Sequence, residues 1–134
     1  MIKNRIISIS KLDLIDLKNK YERNKCVFFL EIDGKIINNW EDYADYMNHH
    51  MEIPVINPYS KDAYLDWMTD LSWLDADEYI IVINNFEEFM KNNLEEKDKV
   101  LKMFETNILP FWEKEVESVT AGGIPKKFNV YLVD

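Results

Sequence analysis

The chain has 134 residues and a mass of 16.1 kDa, enough for one ordinary domain that buries about two-thirds of its unfolded surface and exposes about 7,400 Å². Apolar residues make up 47% and aromatics 13%, with only three Gly and four Pro, which excludes disordered, collagen-like and Gly-rich repeat chains. The formal charge of −9 is concentrated: Trp40 to Glu78 carries ten acids against one base, Lys61, and the remainder holds fifteen of each. Such a field repels nucleic acid and anionic membrane and attracts basic partners.

The single cysteine, Cys26, forms no internal disulfide, and the N-terminal stretch MIKNRIISISKLDL is interrupted by charges instead of forming an apolar leader core. No run approaches 18 uncharged apolar residues. These features lead us to expect a reduced, cytoplasmic protein.

Residues 2–9 (IKNRIISI) show no regular period. From Ser10, an N-cap residue, an amphipathic helix is expected, with Leu12, Leu14, Ile15, Leu17 and Tyr21 as its apolar members. Residues 1–25 are thus expected to be a helical N-terminal extension ahead of a domain at 26–134. Cys26 to Ile32 (CVFFLEI) is nearly continuously apolar and suits a strand covered on both faces, with Cys26 as a small core residue at its start. Asp33-Gly34 makes a turn. Asn39 caps a helix that packs Trp40, Tyr43, Ala44 and Met47 inward, with acids in its first turn.

A loop with Pro54 and Pro58 leads to a helix from Ser60 (SKDAYLDWMTDL), on which Ala63, Trp67 and Leu71 form one apolar stripe with Tyr64 and Met68 beside it. Tyr79 to Ile83 (YIIVI) is the second buried strand. A short helix at Phe86 to Asn92 and a longer one from Glu95 to Val119 follow, the latter kinked or divided at Pro110. Gly122-Gly123 ends it, and Lys127 to Val133 is the third strand. Three apolar strands separated by helices predict an α/β protein with a small three-stranded parallel sheet packed by helices and right-handed crossovers.

The chemistry concentrates at Asp62, Asp66 and Asp70. Spaced i, i+4 and i+8, they stack on one face of the predicted helix. Like charges four apart cost an isolated helix a few tenths of a kcal/mol, about 0.2–0.5 per pair, so the stack does not serve the helix itself. Leu65 and Tyr64 lie on or near that face, and apolar groups among carboxylates resemble the centre of an interface. Three carboxylates on one exposed helix lack the asymmetric burial that separates an acid from a base in paired-carboxylate hydrolases, so no catalytic role is assigned. His49 and His50 are adjacent and point about 100° apart on a helix, so they do not share one metal ion. No metal and no cofactor are expected, nor a small-molecule substrate.

The order of elements and the stretch DAYLDWMTDLSWL resemble the barstar family, intracellular inhibitors of secreted ribonucleases. The likeness runs from about Val27 to the C-terminus and takes in IDGKI after the first strand, the helix from Trp40, the acidic helix and the DLSWL turn into YIIVI. It implies a barstar-like fold in which the acidic helix and the loop before it plug the active-site cleft of a ribonuclease, carboxylates standing where RNA phosphates would lie. Asp62 and Asp66 match the family's two helix aspartates that meet basic catalytic-site residues. Leu65 falls where many members place an interface aromatic or apolar residue, and Asp70 and Trp73 match a structural turn. Where members have an aromatic, a Gly and an Asn, this chain has Asn57, Pro58, Tyr59 and Ser60, leaving Tyr59 to supply an aromatic contact. The candidate contact set is Asp62, Asp66, Leu65, Tyr59 and Lys61, and the expected partner is a basic ribonuclease toxin. An acidic interaction module, or a nucleic-acid mimic docking a different basic protein, is the alternative.

Overall fold

The computed structural model describes residues 2–54 and 57–134. Val55 and Ile56, inside the loop expected between Pro54 and Pro58, lie outside the described residues, as does Met1. At the centre is an all-parallel sheet of four strands, not three: β1 (Ile6–Ile9), β2 (Val27–Asp33), β3 (Glu78–Asn84) and β4 (Lys127–Val133), in the order β1-β4-β3-β2. The additional strand is β1, which pairs Ile6 with Val130 and Ile9 with Val133 along the outer edge of β4. Its four residues are only partly covered, so they carry neither the alternation nor the continuous apolar run of a recognisable strand.

Side chains alternate across the sheet and divide the core into two layers. Tyr79, Ile81 and Ile83 of β3 face the larger layer, with Leu30, Ile32, Phe128 and Val130, whereas Ile80 and Val82 join Val133 and Leu14 on the opposite face. The smaller layer is covered by α1 (Lys11–Tyr21), which Ser10 caps by accepting from the Asp13 amide at 3.0 Å. Leu14 is its buried residue, while Leu12 and Ile15, expected on its apolar side, are 74% and 55% exposed. Cys26 is also exposed, which corrects its reading as a core residue: β2 begins one residue later, and Cys26 sits in the preceding turn with its amide on Asn24 Oδ1 at 2.9 Å.

The larger layer is covered by α2 (Trp40–His50), α3 (Lys61–Met68) and a long helical stretch after β3. Asn39 caps α2 through the Asp42 amide at 2.9 Å, and Trp40, Tyr43, Ala44 and Met47 are buried, as their spacing predicts. The long stretch begins as α4 (Leu94–Met103), loosens into π-turns at Phe104–Ile108 and Phe111–Glu115 on either side of Pro110, and closes as α5 (Val116–Val119). Pro110 has no amide hydrogen and its ring crowds the preceding turn, and wider turns relieve both conflicts without ending the helix. The segment expected as a helix at Phe86 to Asn92 is a single 3₁₀ turn, Phe86–Glu88. No helix among the described residues is long and apolar enough to cross a membrane.

Candidate partner-binding face

The acidic helix is built by local rules and then held by distant ones. Ser60 caps α3 by accepting from the Ala63 amide at 3.1 Å, and the Thr69 hydroxyl closes the other end on the Leu65 carbonyl at 2.8 Å. Two indoles fix its ends to neighbouring elements: Trp40 Nε1 of α2 donates to the Tyr59 carbonyl at 2.9 Å, and Trp112 Nε1 donates to the Met68 carbonyl at 2.9 Å. Tyr64 and Met68 face the core, while Ala63 and Trp67, expected to form the inward stripe, are only half-buried. The choice of inward face follows from the partners offered across the gap, where Tyr64 meets the rings of Trp40 and Tyr43.

That rotation turns Asp62 and Asp66 fully outward with Leu65 half-buried between them. Asp70 departs from the expected stack. The helix ends at Met68, and Asp70 lies in the following turn, where its carboxylate accepts from the Ser72 amide at 3.3 Å. Asp62, Asp66 and Asp70 have no ion-pair partner among the described residues. Lys61, the one base of the acidic segment, is engaged within the chain: its ammonium lies 3.3 Å from Glu96 Oε2 and 5.1 Å from the centre of the Trp40 ring. Glu96 Oε2 is buried without a hydrogen-bond partner among the described residues, and the Lys61 charge offsets its burial.

Two hollows flank α3. Asp62, Leu65 and Asp66 line one of about 400 Å³, whose far wall is Thr106, Phe111 and Glu115 of the helical stretch after β3. Ala63, Asp66, Trp67 and Asp70 line the other, of about 380 Å³, with Asn57. Asp66 borders both and so forms the crest of an acidic ridge. The structure thus brings together Asp62, Leu65 and Asp66, and sets Tyr59 apart at the α2 side. Tyr59 is 46% exposed, and hydrogen bonding to Asp45, with the nearby charges of Asp45 and Glu41, raises its phenol pKa.

Asp45 and the wall of Thr106 and Glu115 are absent from the sequence-derived set. Asp45 was countable within the acidic run, but nothing in the sequence places Glu115 opposite Asp66. Chemically, the face offers fixed negative charges around half-buried apolar groups, an arrangement that suits a cation-bearing protein surface. Among the described residues, no group of three or more His, Cys, Asp or Glu is placed to hold a metal ion.

A search of the curated proteins finds no match to the chain, and a search of the solved structures finds none. The family model described as Barstar (barnase inhibitor) matches residues 27–121. The match begins with β2, takes in α2, α3, β3 and the helical stretch that follows, and leaves both the β1 and α1 unit and β4 outside, so it stops short of the C-terminus to which the likeness was expected to run. Members of this family inhibit ribonucleases of the barnase kind, and with most of its length covered, the chain belongs to the barstar family.

Proposed function

We propose that this chain is a non-catalytic immunity protein that binds a basic ribonuclease toxin in the cytoplasm and occludes its active site with the α3 ridge. The observation that carries this reading is the pair Asp62 and Asp66, exposed and unpaired among the described residues, on a helix fixed at both ends. A ribonuclease cleft must hold phosphates and is therefore lined with cations. A rigid helix presents carboxylates at that place with no bond to cleave, and its fixed geometry lowers the ordering cost of association. Leu65 and Tyr59 add apolar contact beside the charges, and Lys61 borders the surface. We read residues 1–25 as an appended segment, of which β1 extends the sheet at its edge and α1 covers the face away from α3. No metal, cofactor, nucleic acid, membrane or small-molecule substrate enters this mechanism.

The test is an RNA-cleavage assay in which the chain is added in equal amount to barnase and to a panel of other basic microbial ribonucleases, with a chelator present. Loss of activity for at least one of them at equimolar ratio is expected. If every nuclease stays active while the chain captures a basic protein that is not a nuclease, the inhibitor reading fails and the general acidic interaction module takes its place.

A further inference from the structure

The residues just before the acidic helix, Pro58 and Tyr59, are held by two side chains of α2. Trp40 Nε1 donates to the Tyr59 carbonyl at 2.9 Å, and Asn48 Nδ2 donates to the Pro58 carbonyl at 3.2 Å. Trp40 is itself immobilised. It is 4% exposed, meets the Tyr64 ring edge-on at 5.4 Å and packs against Tyr43 at 5.6 Å, while the Lys61 ammonium sits 5.1 Å from its ring. The loop therefore has its main chain tied at two consecutive carbonyls to a helix of the core, yet the Tyr59 ring remains 46% exposed. A large aromatic left in water on a fixed backbone is the form of a contact residue whose ordering cost has already been met in the free protein.

We infer that Trp40 and Asn48 are positioning residues that preset Tyr59 as an aromatic arm beside the acidic ridge. This inference rests on the inhibitor reading for its functional consequence, but the positioning itself is a property of the free chain.

The test has two arms. In the free protein, backbone order parameters of residues 57–60 are compared for wild type, Trp40→Phe, which keeps a ring and removes the donor, and Asn48→Ala, whose side chain is only half-buried. A fall in order confined to those residues, with α3 unchanged, is expected in both variants; unchanged order in both overturns the inference. In the second arm, dissociation from a ribonuclease inhibited by the wild type, barnase being the first probe, is measured for Trp40→Phe, Tyr59→Ala and the double variant. Loss of one hydrogen bond predicts about three- to tenfold faster dissociation for Trp40→Phe. Little further change is expected when Tyr59 is already Ala. An equal effect of Trp40→Phe in both backgrounds overturns the link to Tyr59. Absence of inhibition by the wild type sinks the inhibitor reading and leaves the first arm to decide the positioning.

Discussion

The hydroxyls of Tyr43 on α2 and Tyr64 on α3 lie 2.6 Å apart inside the core, and each is the other's only hydrogen-bond partner among the described residues. Both side chains are at most 4% exposed, so neither oxygen has ready access to water. The pair fixes how α3 sits on α2. Tyr64→Phe or Tyr43→Phe leaves one buried hydroxyl unpaired and is expected to cost about 1–3 kcal/mol each. The double Phe variant removes both polar groups and should regain most of that loss. Urea denaturation of the four proteins decides it. Additive losses would mean that ring packing, not the hydroxyl contact, sets the cost.

The same phenols govern stability in alkali. Burial raises the Tyr43 and Tyr64 pKa values, and Tyr79 is pushed up to about 12 by burial and by the charges of Asp70 and Asp77. An unfolded tyrosine titrates near about 10. Above that pH the unfolded chain gives up protons that the folded chain retains, so the contribution is complete below about pH 10 and is lost as pH rises through about 12 for Tyr79. Lys18, whose pKa is raised by Glu31, acts in the same direction. Thermal midpoints measured from pH 9 to 12.5 should fall steeply over the upper half of that range. Of the seven tyrosines, these three should contribute tyrosinate absorbance only on unfolding, so full tyrosinate absorbance in a protein that is still folded contradicts the burial of these rings.

Removing charge from the ridge should affect binding and leave folding intact. Asp66→Ala deletes the carboxylate that borders both hollows. If α3 is the contact face, as proposed, the variant should strand partner cations in a desolvated contact at a cost of about 2–5 kcal/mol of affinity, a range to which complexes of this family themselves contributed. Asp62→Asn should have a smaller effect. Because neither residue has an ion-pair partner among the described residues, stability should change by no more than a surface substitution allows, about 0.5 kcal/mol. The wild-type association rate should fall with added salt, since the acidic segment steers encounter. A rate that does not change between low and high salt places the contact elsewhere.

What the sequence revealed and what it concealed divide along the range of the interactions. Asn39 and the 3.6-residue period of Trp40, Tyr43, Ala44 and Met47 are local signals, and α2 is where they place it. β3 read equally well from its continuous β-branched apolar run, and β4 from its β-branched and aromatic residues after the Gly122-Gly123 stop. The strand β1 did not, since the partners that make it a strand are more than a hundred residues away: Asn4 donates to the carbonyls of Leu109 and Lys126 and accepts from the Phe128 amide. The inward face of α3 was similarly undecided, because Ala63 with Trp67 and Tyr64 with Met68 are both acceptable stripes until Trp40 and Tyr43 select one. Gly34 was legible as a turn, but its closer constraint was not: a Cβ there would stand 2.4 Å from the Asn85 carbonyl oxygen. The acidic residues could be counted from the sequence, whereas the wall formed by Thr106 and Glu115 is a product of the tertiary fold.

The appended unit should matter for stability and solubility while leaving the ridge untouched. β1 covers the outer edge of β4, which would otherwise offer unpaired main-chain groups to another molecule. Leu14 seals Ile80, Val82 and Val133 on the sheet face away from α3. Leu14→Ala is expected to cost about 2–5 kcal/mol through the lost burial and the cavity it leaves. Asn4→Ala gives up three side-chain hydrogen bonds that join β1 to β4 and to the helical stretch, at about 1–3 kcal/mol, and should raise aggregation by loosening the covered edge. The Leu14→Ala variant, measured below its melting temperature, should dissociate from an inhibited ribonuclease at the wild-type rate, because the sheet separates Leu14 from the layer that carries α3. Faster dissociation from Leu14→Ala with its fold intact would show that the two faces of the sheet are mechanically coupled, and the extension would then belong to the inhibitory apparatus.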